Sequence, residues 1–164
     1  MPKKDLIIHG TLVLLGIILM IIIFILGLLP NQIQKSPKPL GFEKINDGFE
    51  NAIYEQQTRI ITSTDQWIDL WAEMFPDGIA APEINLNEKK VIAVFQGQKP
   101  TGGYSVIIES ITEYQDYIEI GIKDIYPGLN CIVKQEITSP YTTIAIKNSK
   151  KEIRFFREEQ KQNC

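Results

Sequence analysis

Residues 6–29 form an apolar run, interrupted by clearly polar residues only near its start, at His9, Gly10 and Thr11. No other feature limits so strongly what this chain can fold into. As a helix, 24 residues extend about 36 Å at about 1.5 Å per residue. A bilayer core is about 30 Å thick, so Leu6–Leu29 is long enough to span it with some tilt. A cleavable leader has a shorter apolar stretch and a small-residue cleavage site. Neither is present, and no cysteine follows the run to accept a lipid. A buried core helix of this length would show one polar face, and this run has none. The run is therefore expected to be an uncleaved, single-pass signal anchor. Lys3 and Lys4 lie before it and Lys35 and Lys38 after it, so charge alone gives only a slight orientation.

Residues 30–41 contain Pro30, Pro37 and Pro39 among polar residues. Such a composition favours an extended, semi-rigid spacer, which would reach about 37 Å at about 3.1 Å per residue. Residues 42–157 then carry the signals of one folded domain, and the charged end, residues 158–164, is expected to fray.

Within that domain, Thr58–Thr62 is a β-rich run. Ser63 opens a helix, with Gln66 three residues on as the second half of a capping box. Trp67, Leu70, Trp71, Met74 and Phe75 repeat at helical spacing on one face, and Pro76-Asp77-Gly78 ends the helix. This stripe is expected to be a lid on a sheet. Val91–Phe95 is apolar without alternation, the mark of a strand covered on both faces. Tyr104–Ile111 and the alternating Tyr117–Tyr126 follow as further strands. Cys131–Ile137 reads as a fourth strand, Tyr141–Ile146 and Glu152–Phe156 as the last two, and Asn46-Asp47-Gly48 as a turn. Many strands, short connections and one amphipathic helix predict an α+β domain: a mainly antiparallel β body, sandwich or open barrel, with one packed helix.

Composition then excludes several chemistries. The only histidine, His9, lies in the apolar run, so the domain holds no Ser-His-Asp or Cys-His set and no zinc site that relies on histidine. From Phe42 onward 13 Lys/Arg face 19 Asp/Glu, a net charge of −6, which argues against a nucleic-acid face. No catalytic residue, metal or cofactor is expected. Cys131 and Cys164 are the two thiols. An oxidising compartment allows them to pair. Alternatively Cys131, beside Ile132 and Val133, is a small buried hydrophobe and Cys164 a tail residue.

The most distinctive stretch is Pro100-Thr101-Gly102-Gly103-Tyr104-Ser105. Proline fixes its own φ, the paired glycines permit φ > 0, and an aromatic ring enters the next strand. Trp67-x-x-x-Trp71, Val91–Gly97, Pro127-Gly128, Cys131-Ile132-Val133 and Thr138–Tyr141 accompany it in order. This succession resembles the C-terminal domain of the protease complex subunit PrcB family, over roughly Thr58 to Lys147. The resemblance implies an exported accessory subunit of a surface protease assembly. It places residues 1–5 in the cytoplasm and the domain outside the cell membrane.

The same loop is more weakly similar to the Pro-Thr-Thr-Gly-Tyr loop of chagasin-like cysteine protease inhibitors, with Ser139-Pro140-Tyr141 standing for their Pro-aromatic loop. Two roles remain for the stretch. In one, Pro100, Thr101, Gly102, Gly103, Tyr104, Pro140 and Tyr141 form a contact tip for another cell-envelope protein, such as a protease. In the other, the loop is a rigid hairpin turn with Tyr104 in the core. A structural envelope domain with no protease partner is the alternative function.

Overall fold

The computed structural model describes residues 16–25 and 36–164. The chain divides into two compact units, Met1–Gln34 and Lys35–Cys164. In the first, residues 16–25 (α1) are helical and every side chain is exposed. The rest of the predicted span, 6–15 and 26–29, lies outside the described residues, as do residues 30–35 of the spacer. Among the described residues no helix is long and apolar enough to cross a membrane.

Among the described residues the second unit contains eight strands and one helix: β1 (Lys38–Pro39), β2 (Phe42–Gly48), β3 (Gln57–Ile61), α2 (Thr64–Met74), β4 (Lys89–Phe95), β5 (Ser105–Glu113), β6 (Tyr117–Tyr126), β7 (Tyr141–Lys147) and β8 (Glu152–Lys161). Two four-stranded sheets form, in the orders β1-β5-β6-β8 and β2-β7-β4-β3. The β-rich α+β expectation holds, in its sandwich form. All pairings are antiparallel except β6 with β8.

The alternation of side chains along β4 explains its unbroken apolar run. Val91, Ala93 and Phe95 pack under the helix with Trp67, Leu70, Trp71 and Met74. Ile92 and Val94 point the other way, with Ile144 and Ile146, onto Val106, Ile108, Ile118, Ile120 and Ile122 of the second sheet. The layers are thus helix, sheet, sheet. Both indoles spend their polar edge inside the lid: Trp67 Nε1 donates to Pro82 O and Trp71 Nε1 to Ile79 O, each at 2.9 Å. The Ser63 cap forms as expected, accepting from Gln66 N. Gln66 reaches one residue further back than a capping box requires and accepts from Thr62 N at 3.0 Å.

Four expectations are corrected. Asn46-Asp47-Gly48 is not a turn; it is the end of β2, paired with β7 beyond a bulge between Lys44 and Asn46. Residues 131–137 form no strand. Cys131 is instead bonded to Cys164, with Cα atoms 5.1 Å apart, and only isolated contacts such as Gly102 N to Lys134 O (2.9 Å) tie the segment down. The tail expected to fray from residue 158 is paired to β6 through Lys161, and the disulfide fastens its last residue. Finally, Lys38–Pro39 of the spacer pairs with Thr112 and Glu113 at the edge of a sheet.

Candidate functional site

The strands on either side of the Pro100–Ser105 stretch belong to different sheets, β4 to one and β5 to the other. The stretch is therefore a crossover between the layers and not a hairpin turn. Its backbone is held at several points. Gln98 N donates to Tyr54 O (2.9 Å), Lys99 and Thr138 exchange two amide bonds (2.7 and 3.0 Å), and Gly102 N donates to Lys134 O (2.9 Å). Thr138 Oγ1 adds a bond to Thr101 O at 2.9 Å.

Only one of the paired glycines needs to be glycine for its conformation. Gly103 has φ +84°, and a Cβ there would meet Val133 Cγ1 at 2.6 Å. Gly102 has no positive φ and room at ordinary contact distance. A second constrained position, which the sequence reading missed, is Gly97. Its φ is +78°, and a Cβ would lie 2.9 Å from Gln56 N.

Pro100 and Gly103 are exposed, and Thr101 and Gly102 half-buried. The Tyr104 ring is half-buried, edge-on to Tyr126 with centroids 5.6 Å apart. Lys99 Nζ lies 5.9 and 5.5 Å from these two rings, within cation–π range. Burial and the nearby Glu159 carboxylate raise the pKa of Tyr126 above the usual phenol range. Its hydroxyl donates to Glu159 Oε1 at 3.2 Å.

Beside this loop the disulfide holds a second one, residues 127–138, whose apolar side chains point into solvent. Leu129 is 103% exposed and Ile132 104%. Ile137 and Phe49 are also mostly exposed. A groove of about 520 Å³ runs between the two loops, lined by Phe49, Gly103, Tyr104, Ile132 and Val133. A larger hollow of about 840 Å³ lies at the far end of β7, beside Phe42 and Lys89, and none of the candidate contact residues lines it. The apolar rim was misread because Ile132 and Ile137 fall within Cys131–Ile137, a run with the composition of a strand. The available signal was an apolar run containing a cysteine with no compensating alternation.

Pro140 and Tyr141 do not join this surface. Both are buried, Tyr141 at 5% exposure. Tyr141 opens β7 and faces the helix layer, in edge contact with Phe75 at 5.8 Å, and its hydroxyl accepts from Asn46 Nδ2 at 3.0 Å. Burial, with the charge of Asp47, raises its pKa against the opposing bond from Asn46. The two-loop tip is thus corrected: Pro100–Tyr104 stands at the surface without Pro140 and Tyr141. A loop-wedging inhibitor built on the Pro140-Tyr141 pair loses its second wedge.

A polar cluster sits between the sheets at the same end. Asp124, 1% exposed, accepts from Arg157 Nε (2.6 Å) and Nη2 (2.8 Å) and from Gln56 Nε2 (2.9 Å). Arg157 Nη2 also donates to Phe95 O at 3.0 Å. Gln96 Nε2 donates to Ile125 O at 3.2 Å, while its buried Oε1 has no partner. This cluster holds one carboxylate already matched to a guanidinium, an arrangement suited to fixing the sheets rather than to proton transfer. Among the described residues no group of three or more His, Cys, Asp or Glu is placed to hold a metal ion.

Comparison with curated proteins and with solved structures gives no match. A family match covers the two buried strands of the helix-capped sheet and everything between them, from β4 through the Gly103 loop, β5, β6 and the disulfide loop to β7. Residues 90–147 of this chain match the sequence model of the family described as PrcB C-terminal, the family that its motifs resemble.

Proposed function

We propose that this chain is a membrane-anchored, extracytoplasmic, non-catalytic protein-binding subunit of a protease complex. Its contact face is the surface around Gly103, Tyr104 and the 129–137 loop. The carrying observation is the exposure of Leu129 and Ile132, with Ile137 and Phe49 beside them. Apolar side chains held in solvent on a loop are stabilised only when something covers them. The disulfide and the bonds to Lys99, Thr101 and Gly102 hold this surface in place before binding, which lowers the ordering cost of association.

Three further observations support the reading. The PrcB C-terminal match supports a protease assembly as the partner. The Cys131–Cys164 bond fits an oxidising compartment. The apolar run Leu6–Leu29 supports a single anchor in the cell membrane, and the family likeness supports the orientation with residues 1–5 in the cytoplasm.

The test is co-purification of the full chain from membranes in mild detergent, with and without the double substitution Leu129→Asp, Ile132→Asp. Both side chains are fully exposed, so the melting temperature is expected to stay unchanged while a co-purifying protease is lost. Retention of the same protease by the doubly substituted chain would overturn the assignment.

A further inference from the structure

The sandwich has four sheet edges, and three of them are poor templates for another strand. β1 has two residues and contains Pro39, β3 has five residues, and β2 is bulged. Short, proline-bearing or bulged edges prevent unwanted pairing. β8 is different. It has ten residues, no proline and an unbroken register with β6. Among the described residues no strand pairs with its other side.

The backbone of β8 shows what that free side offers. Gln162 N donates to Tyr126 O at 2.8 Å. Backbone groups alternate sides along a strand, so the even-numbered residues 152–160 direct theirs to β6. The amides and carbonyls of Ile153, Phe155, Arg157 and Glu159 therefore face outward. On the solvent face of the sheet stand Glu152, Arg154, Phe156 and Glu158, with Phe156 59% exposed.

We infer that β8 pairs antiparallel with β8 of a second copy of this chain, on a two-fold axis at Phe156, joining two sheets into one of eight strands. The inference is independent of the contact face proposed above. Its basis is charge complementarity in a single register. A two-fold axis normal to the sheet keeps solvent-facing side chains on the same face. Centred on Phe156, it sets Phe156 against Phe156, Arg154 against Glu158 and Glu152 against Gln160, each contact occurring twice except the first. Oppositely charged and aromatic cross-strand pairs are both favourable. On the other face, Phe155 meets Arg157 and Ile153 meets Glu159. The backbone groups that face outward are those of the 155–157 and 153–159 pairs, which become the hydrogen-bonded pairs. Centring on Phe155 sets Glu152 against Glu158, and centring on Arg157 sets that residue against itself. Like charges directly opposite are destabilising; of these three registers only the one centred on Phe156 avoids such a pair within β8, Lys161 falling opposite Lys151 just outside the strand.

The register predicts a cross-link. Phe156 would form a pair without backbone hydrogen bonds, where opposed Cα atoms lie about 4.5 Å apart, within the disulfide range of about 4.4–6.8 Å. Glu158 in one copy lies four residues along from Glu158 in the other, about 13 Å away. The full chain carrying Phe156→Cys or Glu158→Cys is oxidised in its native membrane and run on a non-reducing gel. Phe156→Cys is expected to give at least about tenfold more covalent dimer than Glu158→Cys, because only the first pair meets disulfide geometry. In the Phe156→Cys background, Arg154→Glu should lower that yield and added Glu158→Arg should restore it. Equal yields at the two positions, no dimer at Phe156→Cys, adducts to a different protein, or a charge swap that fails to restore the yield would each overturn the inference.

Discussion

Replacing Arg157 by methionine removes the cation from the most buried ion pair of the domain and leaves its partner in place. Arg157 supplies two hydrogen bonds to Asp124 and a third to Phe95 O. After the change, Asp124 keeps the amide of Gln56 but sits 1% exposed without a counter-charge. Breaking a buried pair by removing one partner costs about 3–5 kcal/mol. That is a large share of a typical stability of about 5–15 kcal/mol. Replacing both members by apolar residues of similar size is close to neutral, because two desolvated charges disappear with their attraction. Asp124→Leu combined with Arg157→Met should therefore recover most of the loss.

Urea unfolding of the full chain in detergent, followed by tryptophan fluorescence, reads this directly, since both indoles lie in the core under the helix. A single-variant loss below about 1 kcal/mol would show the pair to behave like an exposed one. A double variant whose loss equals the sum of the singles would refute the argument that the penalty arises from the stranded charge.

Other expectations follow from the same geometry. Gly103→Ala should cost at least about 1 kcal/mol from its positive φ alone, with the Val133 clash added. Gly102→Ala should stay within about 0.5 kcal/mol; thermal melts of the two variants check the difference. Cys131 and Cys164 close a separation of 33 residues. In the chain-entropy account, replacing both by serine should cost about 3–4 kcal/mol, seen as a lower melting temperature that added reductant no longer changes. Tyr141 keeps its proton in the folded state above the usual phenol range. The unfolded chain then loses that proton first as pH rises past about 10, so it binds fewer protons than the native chain and stability falls with pH there. Tyr141→Phe should flatten that alkaline decline in pH-dependent unfolding; an unchanged slope would count against the buried phenol as its source.

Much of the fold was legible because burial leaves a periodic mark. The stripe Trp67, Leu70, Trp71, Met74 placed the lid, and the unbroken Val91–Phe95 placed a strand with cover on both sides. Periodicity reports which face is buried and is silent on which strand lies alongside. That is why the chain's passage from one sheet to the other at Gly97–Tyr104 was read as a tight bend. The parallel docking of β8 on β6 went unseen for the same reason.

The candidate site was half legible. Proline and glycine located the crossover, but Gly97 carries a constraint that depends on Gln56 from a distant segment. Pro140-Tyr141 looked like a surface loop because proline breaks strands. In the structure the proline only precedes β7, and the ring turns into the helix layer. Ile132 and Ile137 looked like strand residues because a disulfide substitutes for strand pairing in holding that loop, and two cysteines in a sequence do not say whether they pair.

Photo-cross-linking in intact cells tests the central proposal most directly, with the reactive side chain placed in turn at Ile132, at Tyr104 and, as a control, at the exposed helix residue Ile68. Adducts to one extracytoplasmic protease from positions 132 and 104, and none from position 68, are the predicted result. Adducts to that protease from position 68 alone, or none from positions 132 and 104, would contradict the assignment of the disulfide-held loops as the contact face.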